Sequence, residues 1–330
     1  MKTPTTRRGF LGAAGLAGLG AAAVNAASGA PAPAEPAPGG IKLGIATYSF
    51  RKFDRPKVIE MIQQAHTPWI SVKNTPQQLA ADSTPEQARQ ARQAFDAAGL
   101  KVMSIGNIDM TKASTAGDLR PLFELAKNFG APMMVCAPTH ANLRAVEQMV
   151  REYDIRIAIH NHGPEDRHFP SAQSVLEAVG GLDPRCGLCL DVGHAYRAVR
   201  MPRLLKAEAA RKGDAAHTSN SEIVGALEDA AAARSGKTVY DDDPVNIIAV
   251  AGARLFDMHI KDLTDLTNKD SQCDVGDGQI PIPNIFRELI KIHYQGCVNL
   301  EYEINADDPL PGVQRSFRYM RGVLAGLAAA

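Results

Sequence analysis

The 330-residue sequence predicts a single-domain α/β protein with the fold of a (β/α)8 TIM barrel. From residue 41 onward, eight short apolar runs alternate with amphipathic stretches, and strands separated by crossover helices pair in parallel. Eight is the number of parallel strands that closes such a barrel. An open doubly wound sheet is the alternative, but no glycine-rich phosphate loop follows the first run, as a dinucleotide-binding fold would require.

Each predicted strand is a short apolar run, and the runs are spaced for a helix between neighbours. The eight runs are Ile41–Tyr48, Trp69–Lys73, Leu100–Ile105, Met133–Cys136, Ile155–His160, Cys186–Asp191, Leu255–Ile260 and Cys297–Glu301. The helical patterns are Pro56–Ala65, one that opens at Thr84, Leu119–Asn128 and Val313–Leu327. We expect Thr84 to cap its helix with Pro85 in the first turn, and Gly130 to end the helix that precedes it.

The first thirty residues predict an export signal. Arg7 and Arg8 precede a weakly hydrophobic Ala/Gly/Leu run and small residues suited to cleavage, which resembles a twin-arginine signal at residues 1–30. Residues 31–40 are rich in Pro and Ala and predict a linker, which leaves 41–330 for the barrel. We therefore expect a periplasmic protein. No later apolar run approaches the roughly 20 residues of a membrane span, so no stable membrane insertion is expected after cleavage.

One connection in the predicted barrel is longer than the others. Sixty residues separate His194 from Leu255, where the other units need about twenty. The extra part, at about 200–242, is rich in Ala and charge and contains a predicted helix at Ser221–Ala233. In a barrel it would lie above the carboxyl-terminal face, as a lid or as the contact of a homo-oligomer. A solvated insertion without a role is the alternative.

Composition narrows the classes of function. Lys and Arg together number 36, as do Asp and Glu, so the formal net charge is zero and no nucleic-acid partner is indicated. Four of the five cysteines fall inside predicted strands, where they are expected to pack as small apolar residues. Cys186 and Cys189 have the spacing of a zinc pair, but on a strand they point to opposite faces, which argues against a joint metal site.

Polar side chains cluster where the fifth to eighth strands end. They are His160, Asp191, His259 and Glu301. Because the carboxyl ends of barrel strands meet at one rim, these residues are expected to be neighbours in space. Two imidazoles and two carboxylates can bind one divalent cation and leave positions open for substrate oxygens. The competing interpretation is that Asp191 caps the next helix and that His194 only packs.

Other residues at the same rim have two interpretations each. His162 is either a catalytic or substrate-contacting group or a polar residue satisfied by its neighbours. Lys73, at the end of the second strand, would point a cation into the barrel mouth, to bind a substrate oxygen or to pair with an acid. Glu303 shares the facing of Glu301, and Glu165 and Asp166 follow the fifth strand, within reach of substrate or of solvent.

These motifs resemble the sugar phosphate isomerase/epimerase family, whose barrels are similar to xylose isomerase. The resemblance covers about 41–327 and lies in His160-Asn161-His162, Asp191-Val192-Gly193-His194, His259-Ile260-Lys261-Asp262 and Glu301. It implies that Asp191, His259 and Glu301 are metal ligands. It also implies that His194 and Lys261 contact substrate. Arg197 matches an arginine found a few residues after the aspartate motif and is expected to bind substrate as well.

The chain departs from the family pattern at His160, where the family has glutamate. An imidazole in place of a carboxylate lowers the ligand charge from −3 to −2. We therefore expect one divalent metal ion, with manganese, cobalt, zinc or iron favoured over magnesium. The departure also removes one of the two glutamates that flank the substrate carbon in family epimerases.

The predicted function is that of a metal-dependent isomerase or epimerase acting on a sugar or keto-sugar through an enediolate. The metal would acidify the carbon next to a carbonyl, with Glu301 as ligand and base, and His160 or His162 would return the proton. If a β-hydroxyl leaves instead, the enzyme is a lyase or hydratase of keto-sugars. A non-catalytic sugar-binding barrel is the third alternative. An abasic-site endonuclease is disfavoured, because it needs several metals and a basic surface.

Overall fold

Eight parallel strands form a closed barrel in the computed structural model, which describes residues 38–201 and 243–330. The strands β1–β8 are Lys42–Ala46, Trp69–Val72, Lys101–Asp109, Met133–Ala137, Arg156–His160, Cys186–Asp191, Leu255–Ile260 and Cys297–Leu300. Each strand pairs with its neighbours in sequence, and β8 closes the barrel against β1. The predicted (β/α)8 fold is confirmed. The predicted signal and the helix at 221–233 lie outside the described residues.

Helices surround the sheet. In chain order α1–α9 are Arg55–Gln64, Pro85–Ala97, Ala116–Phe129, Leu143–Tyr153, Ala172–Val179, 192–201, Pro244–Ala251, Ile282–Lys291 and Leu310–Ala329. Short 3-10 turns occupy Pro38–Gly40, Thr47–Phe50, His140–Asn142 and Gly252–Arg254. None of the helices within the described residues is long and apolar enough to cross a membrane.

The caps predicted from the sequence are present. The Thr84 hydroxyl accepts from the backbone N–H of Gln87, and the Gln87 side chain accepts from the Thr84 N–H, which completes a capping box with Pro85 in the first turn. Gly130 ends α3 in the left-handed conformation. Strand ends differ by a few residues: the first and eighth strands are shorter than predicted, because Thr47 turns into a 3-10 helix and Glu301 leaves the sheet.

Two apolar clusters hold the barrel together. The larger lies between the sheet and the helices and includes the edge-to-face ring pair of Phe95 and Phe129, with centroids 6.3 Å apart. Fully burying side chains of this kind contributes about 1.5–3 kcal/mol each. The smaller cluster contains Met133, Val135, Ala158 and Cys189, with Phe256 packed against it. Ala158 and Cys189 precede His160 and Asp191 by two residues on their strands, so alternation places all four on the inner face.

The cysteines behave as the sequence predicts. All five are free thiols, and the four in the barrel strands are buried. Cys186 belongs to the outer cluster and Cys189 to the inner one, so the two side chains do point to opposite faces of β6.

A short ribbon follows β7 and borders the carboxyl-terminal face. Its strands are Asp262–Leu263 and Gln272–Cys273. Asp262, only 1% exposed, holds the following loop, since its carboxylate accepts from the backbone N–H groups of Leu263, Gly276, Gly278 and Ile280. This explains why an acid follows Lys261 in the sequence.

We predict that Asp262→Ala lowers the free energy of unfolding by about 3 kcal/mol, because it leaves several buried amides without an acceptor. Guanidinium unfolding followed by circular dichroism measures the change. Asp265→Ala is the control: Asp265 accepts from the backbone and hydroxyl of Thr267 in an exposed turn, so the change should stay within about 0.5 kcal/mol. Equal stability of the two variants would contradict the role of Asp262.

Candidate metal centre

The four polar residues predicted at the strand ends meet at the carboxyl-terminal mouth of the barrel. His160 and Asp191 are the last residues of β5 and β6, His259 is the penultimate residue of β7, and Glu301 directly follows β8. Register places Asp191 beside His259, and His259 beside Asn299 on the other side. All four are buried, with between 0% and 8% of each residue exposed.

Distances within the cluster are short. The Nε2 atom of His160 lies 3.1 Å from His259 Nδ1 and 3.5 Å from Asp191 Oδ2, and His259 Nδ1 lies 3.3 Å from Glu301 Oε1. One ligand atom from each of the four residues lies within 4.8 Å of the others. Ligands bound to one ion at about 2.1 Å are themselves about 3.3 Å apart, so the four atoms are spaced as a common cation would require.

Asp191 caps a helix with one oxygen and faces the cluster with the other. Strand β6 passes directly into α6, and Asp191 Oδ1 accepts from the His194 N–H in the first turn of that helix. The cap interpretation is therefore correct. The other oxygen, Oδ2, lies 3.0 Å from Lys261 Nζ and 3.5 Å from His160 Nε2, so the cap leaves it available to the cluster.

Burial sets the protonation of the cluster. It lowers the pKa of His160 to about 3, which leaves a neutral imidazole with a lone pair for a metal. For Glu301, burial alone would raise the pKa, but the charge of Lys261, followed by His259, holds it well below the usual range. Lys261, and after it His194, do the same for the pKa of Asp191 against its own burial. Both carboxylates are ionised at neutral pH.

Lys261 brings a cation into the cluster. Its Nζ lies 3.0 Å from Asp191 Oδ2, 2.8 Å from Glu301 Oε2 and 2.6 Å from Glu303 Oε2. Burial would lower the pKa of Lys261, but these three carboxylates raise it well above its usual value. The contacts with Asp191 and Glu301 were not foreseen, because the sequence indicated Lys261 only as a substrate contact.

The donor set fits a divalent cation. The two ligand carboxylates carry −2, and the Lys261–Glu303 pair adds no net charge. His160 is neutral, whereas burial would lower the pKa of His259 but Cys189 and Glu301 raise it, so a cation bound there would displace its proton. With both imidazoles neutral, the enclosed carboxylates keep an excess of negative charge that a divalent cation would neutralise. His160, Asp191, His259 and Glu301 are the residues that would hold it.

A cavity of about 330 Å³ opens beside the cluster. It is lined mainly by polar side chains, among them three residues that the sequence indicated as substrate contacts: His194, Arg197 and Lys261. Gln272 and Glu303 add acceptors to the same wall, and Leu263 and Ile304 add apolar surface. The mixture of fixed donors and acceptors suits a polyhydroxylated molecule.

Arg197 and His194 lie on the first turns of α6. Arg197 is 2% exposed and pairs with the half-exposed carboxylate of Glu165, which comes from the loop after β5. Its Nη1 is 3.4 Å from His194 Nδ1, and burial lowers the pKa of His194 to about 4. The His194 ring centroid is 5.8 Å from that of His160, so this pair borders the cluster without joining it.

His162 lies next to the cluster, with its ring centroid 4.5 Å from that of His160. Asp166 Oδ2 is 3.1 Å from His162 Nδ1, and Asn107 Nδ2 is 2.7 Å from His162 Nε2. These neighbours favour the tautomer in which Nδ1 carries the proton and Nε2 carries the lone pair. The sequence predicted either a functional His162 or one satisfied by polar neighbours. The structure identifies those polar neighbours as Asp166 and Asn107.

Lys73 lies just beyond β2, on the other side of the mouth. Its Nζ donates to the backbone oxygen of Asn107 and lies 5.5 Å from the centre of the Tyr48 ring. Burial lowers the pKa of Lys73, and the charges of Glu301 and Asp109 oppose that shift. Lys73 is therefore close enough to Glu301 to feel its charge. It forms no ion pair with an acid among the residues that the structure describes.

Several residues that shape the site were not identified from the sequence. Asn161 is fully buried and binds both backbone groups of Asp191: its Nδ2 donates to the carbonyl at 3.0 Å, and its Oδ1 accepts from the N–H at 2.9 Å. Asp257, beneath His259 on β7, accepts from Asn299 Nδ2 at 2.7 Å, and burial raises its pKa to about 6. The sequence did contain a signal for Asp257, because a charged residue inside an apolar strand is unusual and indicates a specific partner.

Comparison with protein-family models gives one match, to the family described as "Xylose isomerase-like TIM barrel", over residues 69–323. A search of curated proteins gives no match.

Solved structures with the same fold include three with described activities. A D-tagatose 3-epimerase-like protein has 14% identity and a TM-score of 0.57, with 87% of this chain and 98% of that chain covered. The 3-keto-D-glucoside 4-epimerase YcjR from E. coli has 13% identity and a TM-score of 0.59, with 86% and 99% covered. A "probable 3-DHS dehydratase AsbF" from Bacillus anthracis has 12% identity and a TM-score of 0.59, with 85% and 98% covered. At these identities the similarity shows the fold.

We predict that Asn161→Ala destabilises the protein by about 2–3 kcal/mol, since it leaves the buried N–H and carbonyl of Asp191 without partners. Thermal and guanidinium unfolding measure the loss. Asn284→Ala is the control: Asn284 is exposed on α8 and only accepts from Arg287, so a change below about 0.5 kcal/mol is expected. If Asn161→Ala were as mild as its control, Asn161 would not be what fixes the end of β6.

Proposed function

The chain belongs to the xylose isomerase-like TIM barrel family, and we propose that it is a divalent-metal-dependent isomerase or epimerase of a sugar or keto-sugar. The observation that carries the proposal is the buried cluster of His160, Asp191, His259 and Glu301 beside a polar cavity. The epimerases among the structural neighbours support the choice of reaction class. The substrate would be a small carbohydrate that fills the cavity.

The metal, when bound, would polarise the substrate carbonyl and acidify the neighbouring C–H, which favours an enediolate. Two imidazoles in a set of four ligands favour manganese, cobalt, zinc or iron over magnesium, because magnesium prefers oxygen ligands. His160 is the residue that makes this difference, and its lowered pKa keeps it available as a neutral donor.

Glu301 is the proposed base. One of its oxygens, Oε1, faces His259 within the ligand cluster, and the other, Oε2, faces Lys261. A carboxylate that uses one oxygen as a ligand keeps the other for a proton. Its low pKa keeps it ionised at neutral pH, which is the form that can accept a proton.

His162 is the better placed of the two imidazoles proposed to return the proton. His160 Nε2 points into the ligand cluster, whereas His162 is partly exposed, at 30% of its side chain. Asp166 would hold His162 Nδ1–H, and a substrate would take the place of Asn107 Nδ2 at His162 Nε2. His160 then acts mainly as a ligand.

The wall of the cavity would orient the substrate. His194, Arg197 and Lys261 present donors on one side, where sugar hydroxyls and the carbonyl need them. Lys73 is proposed to contact substrate from the opposite side, through the ammonium that lies over Tyr48. Positioning of this kind is what converts a reactive metal site into a selective one.

A lyase or dehydratase of keto-sugars is the second candidate. Two observations favour it: the imidazole of His160 stands at one of the two expected carboxylate positions, and a dehydratase is among the structural neighbours. With Glu301 as the principal base, the same enediolate would lose a β-hydroxyl group. The product distinguishes the two reactions, because elimination creates a double bond and isomerisation does not.

We also propose that the protein acts in the periplasm. The proposal rests on the twin-arginine pattern at Arg7 and Arg8 and the apolar run that follows. Export of a folded protein by this route would allow the metal to be acquired before transport.

The test combines metal analysis with proton exchange. Purified protein should contain about one equivalent of manganese, cobalt, zinc or iron per chain. Incubation with a panel of sugars and 3-keto-sugars in deuterated water should place deuterium at a substrate carbon, detected by NMR. Metal-loaded protein that exchanges no proton on any member of the panel would instead support a non-catalytic sugar-binding barrel.

We predict that Glu301→Gln lowers the exchange rate by about 100-fold or more, because the amide cannot accept the proton, while metal is largely retained. Glu86→Gln, on the exposed surface of α2, is the control and should exchange at the wild-type rate. Normal exchange in Glu301→Gln would contradict its assignment as the base.

A further inference from the structure

The proposed metal centre already contains a cation of its own. The Lys261 ammonium touches two of the four proposed ligands, at 3.0 Å from Asp191 Oδ2 and 2.8 Å from Glu301 Oε2. The Lys261 side chain is 4% exposed, and Asp191 is fully buried. Neither contact is a surface ion pair, because water cannot screen charges in such a place.

The position of Lys261 is built into the fold. A Cβ atom at position 193 would lie 2.7 Å from both Cγ and Cδ of Lys261. The aliphatic part of the Lys261 side chain can therefore pack against α6 at this point only because residue 193 is glycine. At the base of this path, the ribbon that begins at Asp262 fixes the backbone just after Lys261. The ammonium is therefore directed at the two ligands by its surroundings.

Glu303 offers the same ammonium a second partner. Its Oε2 is 2.6 Å from Lys261 Nζ, yet its side chain is 39% exposed and lines the 330 Å³ cavity. Glu303 itself is fixed, since its N–H donates to Gln272 Oε1 at 2.7 Å and its carbonyl accepts from Arg51 Nη2 at 2.6 Å. Lys261 thus lies between two ligand carboxylates on the buried side and one non-ligand carboxylate on the cavity side.

We propose that Lys261 is an internal competitor of the metal: it pairs with Asp191 and Glu301 when no metal is bound, and Glu303 retains it when a divalent cation takes those carboxylates. The inference rests on the proposed metal centre. A monovalent ammonium and a divalent cation cannot both neutralise the same two carboxylates in full, and like charges repel strongly at this burial. Glu303 lowers the cost of metal entry, because it gives the ammonium a carboxylate outside the ligand set.

The arrangement has a consequence for substrate binding. With Asp191 and Glu301 occupied by a metal, the remaining strong contact of Lys261 is Glu303, on the cavity wall. The ammonium would then be presented to substrate together with the metal, whereas without metal it is held by Asp191 and Glu301. Metal loading would in this way prepare the sugar-binding wall.

The experiment measures metal affinity by calorimetry, with Mn²⁺ and Co²⁺ titrated into metal-free protein without substrate. We expect Lys261→Met to bind both ions about 10-fold more tightly than wild type, since it removes the competitor. Glu303→Gln should bind them about 10-fold more weakly, since it removes the alternative partner. Groups around metal ligands commonly change affinity by 10- to 100-fold, but a merely structural role would weaken binding in both variants.

The double variant Lys261→Met/Glu303→Gln sharpens the test. When the ammonium of Lys261 is already absent, replacing Glu303 by Gln should no longer weaken metal binding. Lys269→Met is the matched control: Lys269 lines the same cavity but pairs with Asp270, and its metal affinity should equal that of wild type. Thermal unfolding checks that each variant is folded, and metal should raise the melting temperature of Lys261→Met more than that of wild type.

Two outcomes overturn the inference while leaving the metal centre intact: equal or weaker binding by Lys261→Met, or an undiminished effect of Glu303→Gln in the double variant. If wild type and all variants fail to bind either ion, the proposed function fails, and the inference fails with it. If Lys261→Met does not fold, Glu303→Gln alone decides, since unchanged or tighter binding contradicts the role of Glu303.

Discussion

The structure depends on one electrostatic constraint, which is the burial of carboxylates at the mouth of the barrel. Asp191 is 0% exposed and Glu301 8%, and both are ionised. Removing a charge from water costs several kcal/mol unless a partner compensates for it. Lys261 supplies one positive charge against Asp191, Glu301 and Glu303, so the centre keeps an excess of negative charge that a divalent cation would neutralise. The imidazoles of His160 and His259 complete its surroundings.

The barrel satisfies this constraint through its ordinary geometry. Strand alternation points His160, Asp191 and His259 inward, and the helix that follows β6 uses Asp191 Oδ1 as its cap while Oδ2 remains for the centre. Asn161 holds the backbone of Asp191 from the neighbouring strand. The same helix carries Arg197 to the cavity wall. The proposed metal ligands and substrate contacts therefore share a small set of rigid supports, as preorganised sites require.

Much of the fold was predictable, because each strand is a dense apolar run and strands five to eight each have a polar residue at or next to the carboxyl end. Asp191, His259 and Glu301 stand out for that reason, and parallel topology brings them together. Distances between side chains do not follow from the pattern: nothing in the sequence shows that Lys261 reaches Asp191, or that Glu303 is its partner. The direct passage from β6 into α6 was also missed, since an Asp-Val-Gly-His stretch suits both a loop and a capped helix. The role of Asn161 was not predicted, because its side chain binds backbone groups of another strand and no sequence pattern marks such a contact.

The central claim is that His160, Asp191, His259 and Glu301 together hold one divalent ion. Anomalous diffraction from crystals grown with Mn²⁺ or Co²⁺, recorded on both sides of the absorption edge of the metal, tests it most directly. We expect a single strong peak at the mouth of the barrel, about 2.0–2.2 Å from one atom of each residue. A peak that omits His160, or no peak among these four side chains, would contradict this claim.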